Sequence, residues 1–568
     1  MLLVACLFLF AQAHGNTLQV NTTEGVVVGG QADNGKYYAF HGIPYAGSTS
    51  GQNRFKAPLP PPKRKAPFDA TAAGTLNTFA GNVICAHPTS RGLIGTEDCL
   101  TLSIFTKNVT TPKPVIVFLN SEEYTTTTQK PYSYQRIVDE NLVFVTVNYR
   151  LSIFGFLCLG VPEAPGNAGL KDVIQALKWI NANIANFGGN SSNVILMGHG
   201  SGAAMVDILT MSPRTTNLVH KAIALSGSAL APWAIAYDPI GYARAVASTV
   251  GYFHKTNSQL AQHLVTTHIN VLIPSIKDFH FTNNTPLFAP CLENPKLNPN
   301  DTVISVAPVE LLHSGKYNDI PYITGYTTRE GTMRAQEGAF GQWLEGMQAN
   351  FTNFLQVDLN FGNNKTGVAQ LIREFYFNNR QIDMGTIEDF LDYEGDILVL
   401  VSVIRGAKER GLTSQSEVRL LEFGYMGTLN SDWTLSQIHL NGVMHGGLLN
   451  YLFDYDLKPA DEAVMTSVVK RFAGFAYTGK PNAVTGGRGT VAWPAITKDT
   501  LNYLYYGGQS SNPITAEEVK FNPHLQRITF WNNLYMKYYV PPLAINSAVT
   551  SFNVVSLLVL SQLFIRFF

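Results

Sequence analysis

The chain has 568 residues, 45% of them apolar and 14% charged, and its 40 Lys and Arg balance its 40 Asp and Glu to a formal net charge of zero. With no basic run beyond Lys63-Arg64-Lys65, that balance argues against a nucleic-acid partner, and the length suffices for one large core.

The N-terminal run MLLVACLFLFAQAHG is apolar and ends in Ala11-Gln12-Ala13, which reads as a secretory signal over residues 1–13 although its first residues carry no basic charge. Removal of the signal takes Cys6 and leaves Cys85, Cys99, Cys158 and Cys291. Secretion permits a disulfide, and Cys85 with Cys99 would close a short loop. Cys158 and Cys291 sit in apolar company and are expected to be buried thiols. Glycosylation sequons at Asn21, Asn108, Asn190, Asn283, Asn300, Asn350 and Asn364 suit an ectodomain.

The proline-rich stretch Phe55–Pro67 marks a loop. PVIVFLN (Pro114–Asn120), NLVFVTVNYR (Asn141–Arg150) and NVILMG (Asn193–Gly198) are continuous apolar runs of strand length, as in central strands buried on both faces of a mostly parallel sheet. Asp172–Phe187 has helical spacing and lies between the second and third of them. A glycine turn follows, then a helix from about Ser201, and a last helix is predicted over Asn522–Tyr538. The fold class is therefore α/β, a single large domain over residues 14–540 with its functional crevice at the strand carboxyl ends.

Residues 541–568 form a C-terminal hydrophobic segment. Val554–Phe568 is shorter than a bilayer-spanning helix and is interrupted by Gln562 and Arg566. Small residues at Asn546, Ser547 and Ala548 would suit a GPI attachment site, but the spacer after them is short. A GPI signal, a short transmembrane anchor and a packed tail all remain open. Either anchor would hold the protein at the extracellular side of the plasma membrane; without one it is secreted.

Motifs in order along the chain resemble the carboxylesterase/cholinesterase family of α/β-hydrolases. They include HGIPYA (His41–Ala46), TEDCLTLSIFT (Thr96–Thr106), APGNAGLKD (Ala164–Asp172), KAIALSGS (Lys221–Ser228), REGT (Arg329–Thr332) and GVMHGGLLNYLF (Gly442–Phe453). The resemblance implies an α/β-hydrolase fold, structural ion pairs Arg54–Glu97 and Arg150–Asp172, and the Cys85–Cys99 disulfide. It carries the triad acid to Glu330, the base to His445, and a supporting serine to Ser226.

Two catalytic elements are missing. In VILMGHGSGAAMV the nucleophile position falls on Gly200, flanked by Gly198 and Gly202, and the only serine, Ser201, comes one residue late. The glycines expected around the oxyanion position are replaced by Asn120-Ser121-Glu122-Glu123; Ser121, Glu122 and Ser201 stand at that position, and the side chains of Ser121 and Glu122 would crowd it. A carboxylate about 6 Å from a forming oxyanion opposes it by roughly 3 kcal/mol at an effective dielectric near 20. Ser201 is expected to cap its helix, and His199, with no second ligand at metal spacing, to be an ordinary turn residue. Thr125–Thr128 is expected as a solvated loop at the mouth of the former active-site gorge.

No cofactor or metal is expected. The resemblance to serine-less members such as neuroligins and glutactin implies an inactive adhesion or protein-binding ectodomain with an extracellular or cell-surface protein partner. Active relatives dimerise through a helix like Asn522–Tyr538, which implies a homodimer. The alternatives are a hydrolase with Ser201 as displaced nucleophile, or a gorge that binds lipids or esters without cleaving them.

Overall fold

The computed structural model describes residues 17–32, 36–71, 83–89, 92–127, 132–253, 256–276, 279, 281–430, 434–435, 438–453, 459–481, 491–509 and 517–545. The expected signal (1–13) and residues 546–568 of the C-terminal segment lie outside them.

Thirteen strands build the main sheet, twelve of them on one continuous path. The twelve are β1 (Thr17–Thr22), β2 (Gly25–Gln31), β3 (Tyr38–Pro44), β4 (Thr101–Thr106), β5 (Lys113–Ser121), β6 (Val143–Val147), β7 (Gly189–Gly200), β8 (Lys221–Leu225), β9 (Tyr322–Thr327), β10 (Val418–Phe423), β11 (Asn502–Tyr506) and β12 (Glu517–Phe521). Their spatial order is β1-β2-β3-β4-β6-β5-β7-β8-β9-β10-β11-β12, and the short strand Phe68–Asp69 pairs beside β2. From β6 to β11 every neighbour is parallel; the flanks are antiparallel.

The three apolar runs read in the sequence are β5, β6 and β7, and all nine residues of β5 are buried. Their side chains alternate between two cores, as the two-residue period of a strand requires. Val115, Val117 and Leu196 join Leu170 and Leu177 of helix α1 (Ala168–Asn183) and Leu209 of α2 (Ser201–Met211) on one face. Ile116, Phe118 and Met197 meet Val468 and Phe472 of α3 (Glu462–Thr478) on the other. Each such side chain contributes roughly 1.5–3 kcal/mol on burial. The last helix, α4, spans Leu525–Tyr538, three residues later than the Asn522 start expected, because Asn522 and His524 take left-handed backbone angles.

Arg54 grips Glu97 through Nε and Nη2 at 2.6 and 2.8 Å, and Arg150 grips Asp172 at 2.8 and 2.5 Å, both pairs largely buried. Cys85 and Cys99 form the expected disulfide. The expectation for Cys158 and Cys291 needs correction. Although 133 residues apart, they are a second disulfide, their Cα atoms 6.6 Å apart, within the range a bridge tolerates. Their sequence neighbourhoods are apolar because the bridge itself is buried, so composition alone could not tell thiol from disulfide. Ile545 packs against this pair and its N–H donates to Leu292, so the chain stays on the body through the first residues of the C-terminal segment. Among the described residues, no helix is long and apolar enough to cross a membrane.

Candidate active site

Parallel pairing of β5 with β7 sets His199 beside Asn120 and Gly200 beside Ser121 at the carboxyl edge of the sheet. β7 runs to Gly200, whose φ of 59° and ψ of −127° turn the chain directly into α2. This is the strand–turn–helix geometry of a hydrolase elbow. A Cβ on Gly198 would lie 2.3 Å from the Gly202 carbonyl oxygen, and one on Gly202 would lie 2.4 Å from that of Leu119. The two flanking glycines are therefore sterically required, and they are centred on Gly200, not Ser201.

Glu330 and His445 meet at the carboxyl edge of the sheet. Glu330 opens the turn after β9, and its Oε1 accepts from Ser226 Oγ and from the Thr327 N–H, each at 2.6 Å. Its Oε2 holds His445 Nδ1 at 2.5 Å, while the His445 N–H donates to Thr332 Oγ1 at 2.9 Å.

His445 Nε2 faces a carboxylate. Glu122, immediately after β5, reaches over Gly200 so that Oε2 lies 3.2 Å from His445 Nε2 and Oε1 lies 3.2 Å from His199 Nδ1. A Cβ on Gly200 would fall 2.6 Å from Glu122 Oε2, so the carboxylate stands where a nucleophile's side chain would begin. Burial by itself would lower the His445 pKa, but the Glu122 and Glu330 carboxylates outweigh it and hold it up at about 10. Burial would likewise raise Glu122 and Glu330, yet His445 holds both below the usual carboxylate range, with His199 adding to the effect on Glu122. An imidazole so held carries its proton at neutral pH.

The oxyanion side is also altered. The Glu122 N–H donates to the Thr126 carbonyl at 2.8 Å, and Glu123 and Tyr124 take φ of 53° and 57°. Thr126 is thus tied back onto Glu122 by paired backbone bonds, while Thr125 does line the gorge as expected of that loop. Ser121 Oγ is engaged by Ser201 Oγ and the Tyr149 hydroxyl, each at 2.8 Å.

Two expectations are corrected here. Ser201 does not cap α2: its Oγ donates to the Ser121 carbonyl and accepts the Tyr124 N–H, at 2.8 and 2.9 Å, so the hydroxyl is spent on the segment that follows β5. Nor is His199 an ordinary turn residue. The pairing of β5 with β7 and the loop bearing His445 bring Glu122 and His445 to it, and the two rings stand 4.5 Å apart. Residues 122, 199 and 445 have no ligand spacing in the sequence, so only the fold could join them.

Beside the elbow lies a cavity of about 440 Å³, with Ser201 in its wall and Trp233, Phe279, Phe281, Phe288 and Trp343 around it. Its polar wall was not foreseen. Glu123 pairs with buried Arg334, Arg334 Nε donates to Asn284 Oδ1 at 2.5 Å, and Asn284 Nδ2 donates to Glu394 Oε2 at 2.7 Å. Arg334 lies outside every motif and Asn284 only fills the variable place of the Asn283 sequon, so spacing could not flag them.

An α/β sheet with an elbow, an acid and a histidine at its carboxyl edge defines the α/β-hydrolase class. The carboxylesterase family profile matches residues 16–531, and the chain belongs to that family. It is 26% identical over 516 residues to venom carboxylesterase-6 of Apis mellifera, covering 88% of this chain and 90% of the relative. It is 26% identical to juvenile hormone esterase of Tribolium castaneum over 564 residues, covering 90% and 93%. The crystal structure of juvenile hormone esterase from Manduca sexta, with OTFP covalently attached, superposes with a TM-score of 0.78 at 23% identity, covering 92% of this chain and all of that one, a likeness of fold.

Proposed function

We propose that this protein is a catalytically silent carboxylesterase that acts outside the cell by binding rather than turnover. The observation that carries the reading is the Glu122 carboxylate lodged against Gly200 and facing His445 Nε2. It takes the space of the missing nucleophile and engages the nitrogen of His445 that would serve as base. Loss of a triad serine costs about six orders of magnitude in turnover. The Ser201 hydroxyl is committed to Ser121 and Tyr124, which argues against a displaced nucleophile. Two disulfides suit an oxidising, extracellular compartment, and the Apis relative is by name a venom protein.

Two kinds of bound partner fit. The resemblance to neuroligin- and glutactin-like members points to a cell-surface protein in adhesion, with the C-terminal segment 541–568 as tether and α4 as a homodimer contact. The aromatic cavity favours a second role, holding a small apolar ligand such as an ester or lipid without cleaving it. Both roles share the test of p-nitrophenyl ester hydrolysis on the purified protein beside an apolar fluorophore titration. Hydrolysis at the buffer rate is expected, and saturable fluorophore binding singles out the gorge role. Esterase turnover that persists through purification would overturn the reading.

A further inference from the structure

We infer that Glu122, His199 and His445 form a binding site for one divalent transition-metal ion of the zinc type. They come from the end of β5, the end of β7 and the loop before Gly447, and each offers a ligand atom within 4.8 Å of the other two. The two separations, 3.2 Å from each Glu122 oxygen to an imidazole nitrogen, suit a shared ion. With bonds of about 2.0–2.1 Å to zinc, tetrahedral ligand atoms stand about 3.3 Å apart. The same distances are long for charge-assisted hydrogen bonds, which settle near about 2.7–2.9 Å. In the same cluster the Glu330–His445 bond, at 2.5 Å, has no such slack.

Ring orientation points the same way. Glu330 engages His445 through Nδ1, so Nε2 is the ring nitrogen turned toward Glu122. A carboxylate behind the imidazole, fixing its tautomer and angle, is also how metal-bound histidines are held. A separate observation comes from His199, whose side chain is 2% exposed and whose Nε2 is buried without a hydrogen-bond partner. The protein leaves that imidazole half satisfied, which buried polar groups seldom are. Two imidazoles and one carboxylate select zinc or a neighbouring transition metal over calcium or magnesium, which prefer all-oxygen sites.

The inference goes beyond the silent-esterase reading and is tested by binding, not activity, so each can fail alone. Purified full-length protein is stripped with EDTA, dialysed, and titrated with zinc chloride by calorimetry. The expected result is one ion bound per chain, with the unfolding midpoint raised by zinc. Glu330→Gln should weaken binding by about 10–100-fold through loss of ring orientation, and His199→Asn and Glu122→Gln should weaken it further. Near-UV circular dichroism of the metal-free variants establishes that they fold. Wild-type protein that binds no stoichiometric zinc overturns the inference without recourse to any variant. Stoichiometric binding that survives both His199→Asn and Glu122→Gln also overturns it, placing the ion elsewhere on the molecule.

Discussion

At the scale of single residues, the account turns on which side chain occupies the space above Gly200. Restoring the nucleophile by Gly200→Ser should leave ester hydrolysis at the buffer rate, because Glu122 still engages His445 and the Glu122 N–H still points at Thr126. The double variant Gly200→Ser/Glu122→Gly frees Nε2 and removes the opposing charge. It should exceed the single variant by about 100-fold in turnover of p-nitrophenyl acetate, the factor that roughly 3 kcal/mol represents. A second residue-scale prediction concerns Glu394. Burial lifts its carboxyl to about 7, against weaker opposing effects of Asn284 and Arg334. A carboxyl raised in the folded state adds stability that is fully present below its unfolded value of about 4.5 and is lost as pH rises through about 7. Urea-unfolding free energy should therefore fall across that window by up to about 3 kcal/mol more in the wild type than in Glu394→Gln. Equal slopes would contradict the assignment.

At the scale of elements, the end of β5 and the start of α2 are pinned together by one hydroxyl. Ser201 Oγ meets Ser121 Oγ, the Ser121 carbonyl and the Tyr124 N–H, all buried. Ser201→Ala should destabilise the fold by about 1–3 kcal/mol, since it strands buried partners, as chemical denaturation would measure. A loss near zero would mean the hydroxyl is not a brace. The elements themselves were largely legible. β5, β6, β7 and α1 announce themselves as apolar runs and a helical period, and Glu330, His445 and Ser226 travel with family motifs. The position of Glu122 was legible, but its reach was not. Only the register of Gly200 on Ser121 shows that the carboxylate lands over the elbow and touches two histidines far apart in sequence. The role of Ser201 was misread for the same reason: a helix-start serine is a cap by local rules, and here a neighbouring strand competes successfully for its hydroxyl.

At the scale of the whole molecule, two covalent ties frame the sheet. The Cys158–Cys291 bridge joins residues 133 positions apart in sequence, and no local pattern marks such a pairing. Non-reducing peptide mapping should recover Cys85 with Cys99 and Cys158 with Cys291, with no free thiol among these four. Replacing Cys158 and Cys291 by serine should cost about 2–5 kcal/mol of stability; an unchanged unfolding midpoint would contradict a role for the bridge. The rest of the architecture, thirteen strands with helices on both faces, is that of the carboxylesterase family. Its chemistry is then decided by a few residues at the carboxyl edge. The most direct test is to label the purified protein with a fluorophosphonate probe and map any adduct by mass spectrometry. The account predicts no adduct at any residue of the elbow. A stoichiometric adduct on Ser201 would contradict it and make the protein a working esterase with its nucleophile moved by one position.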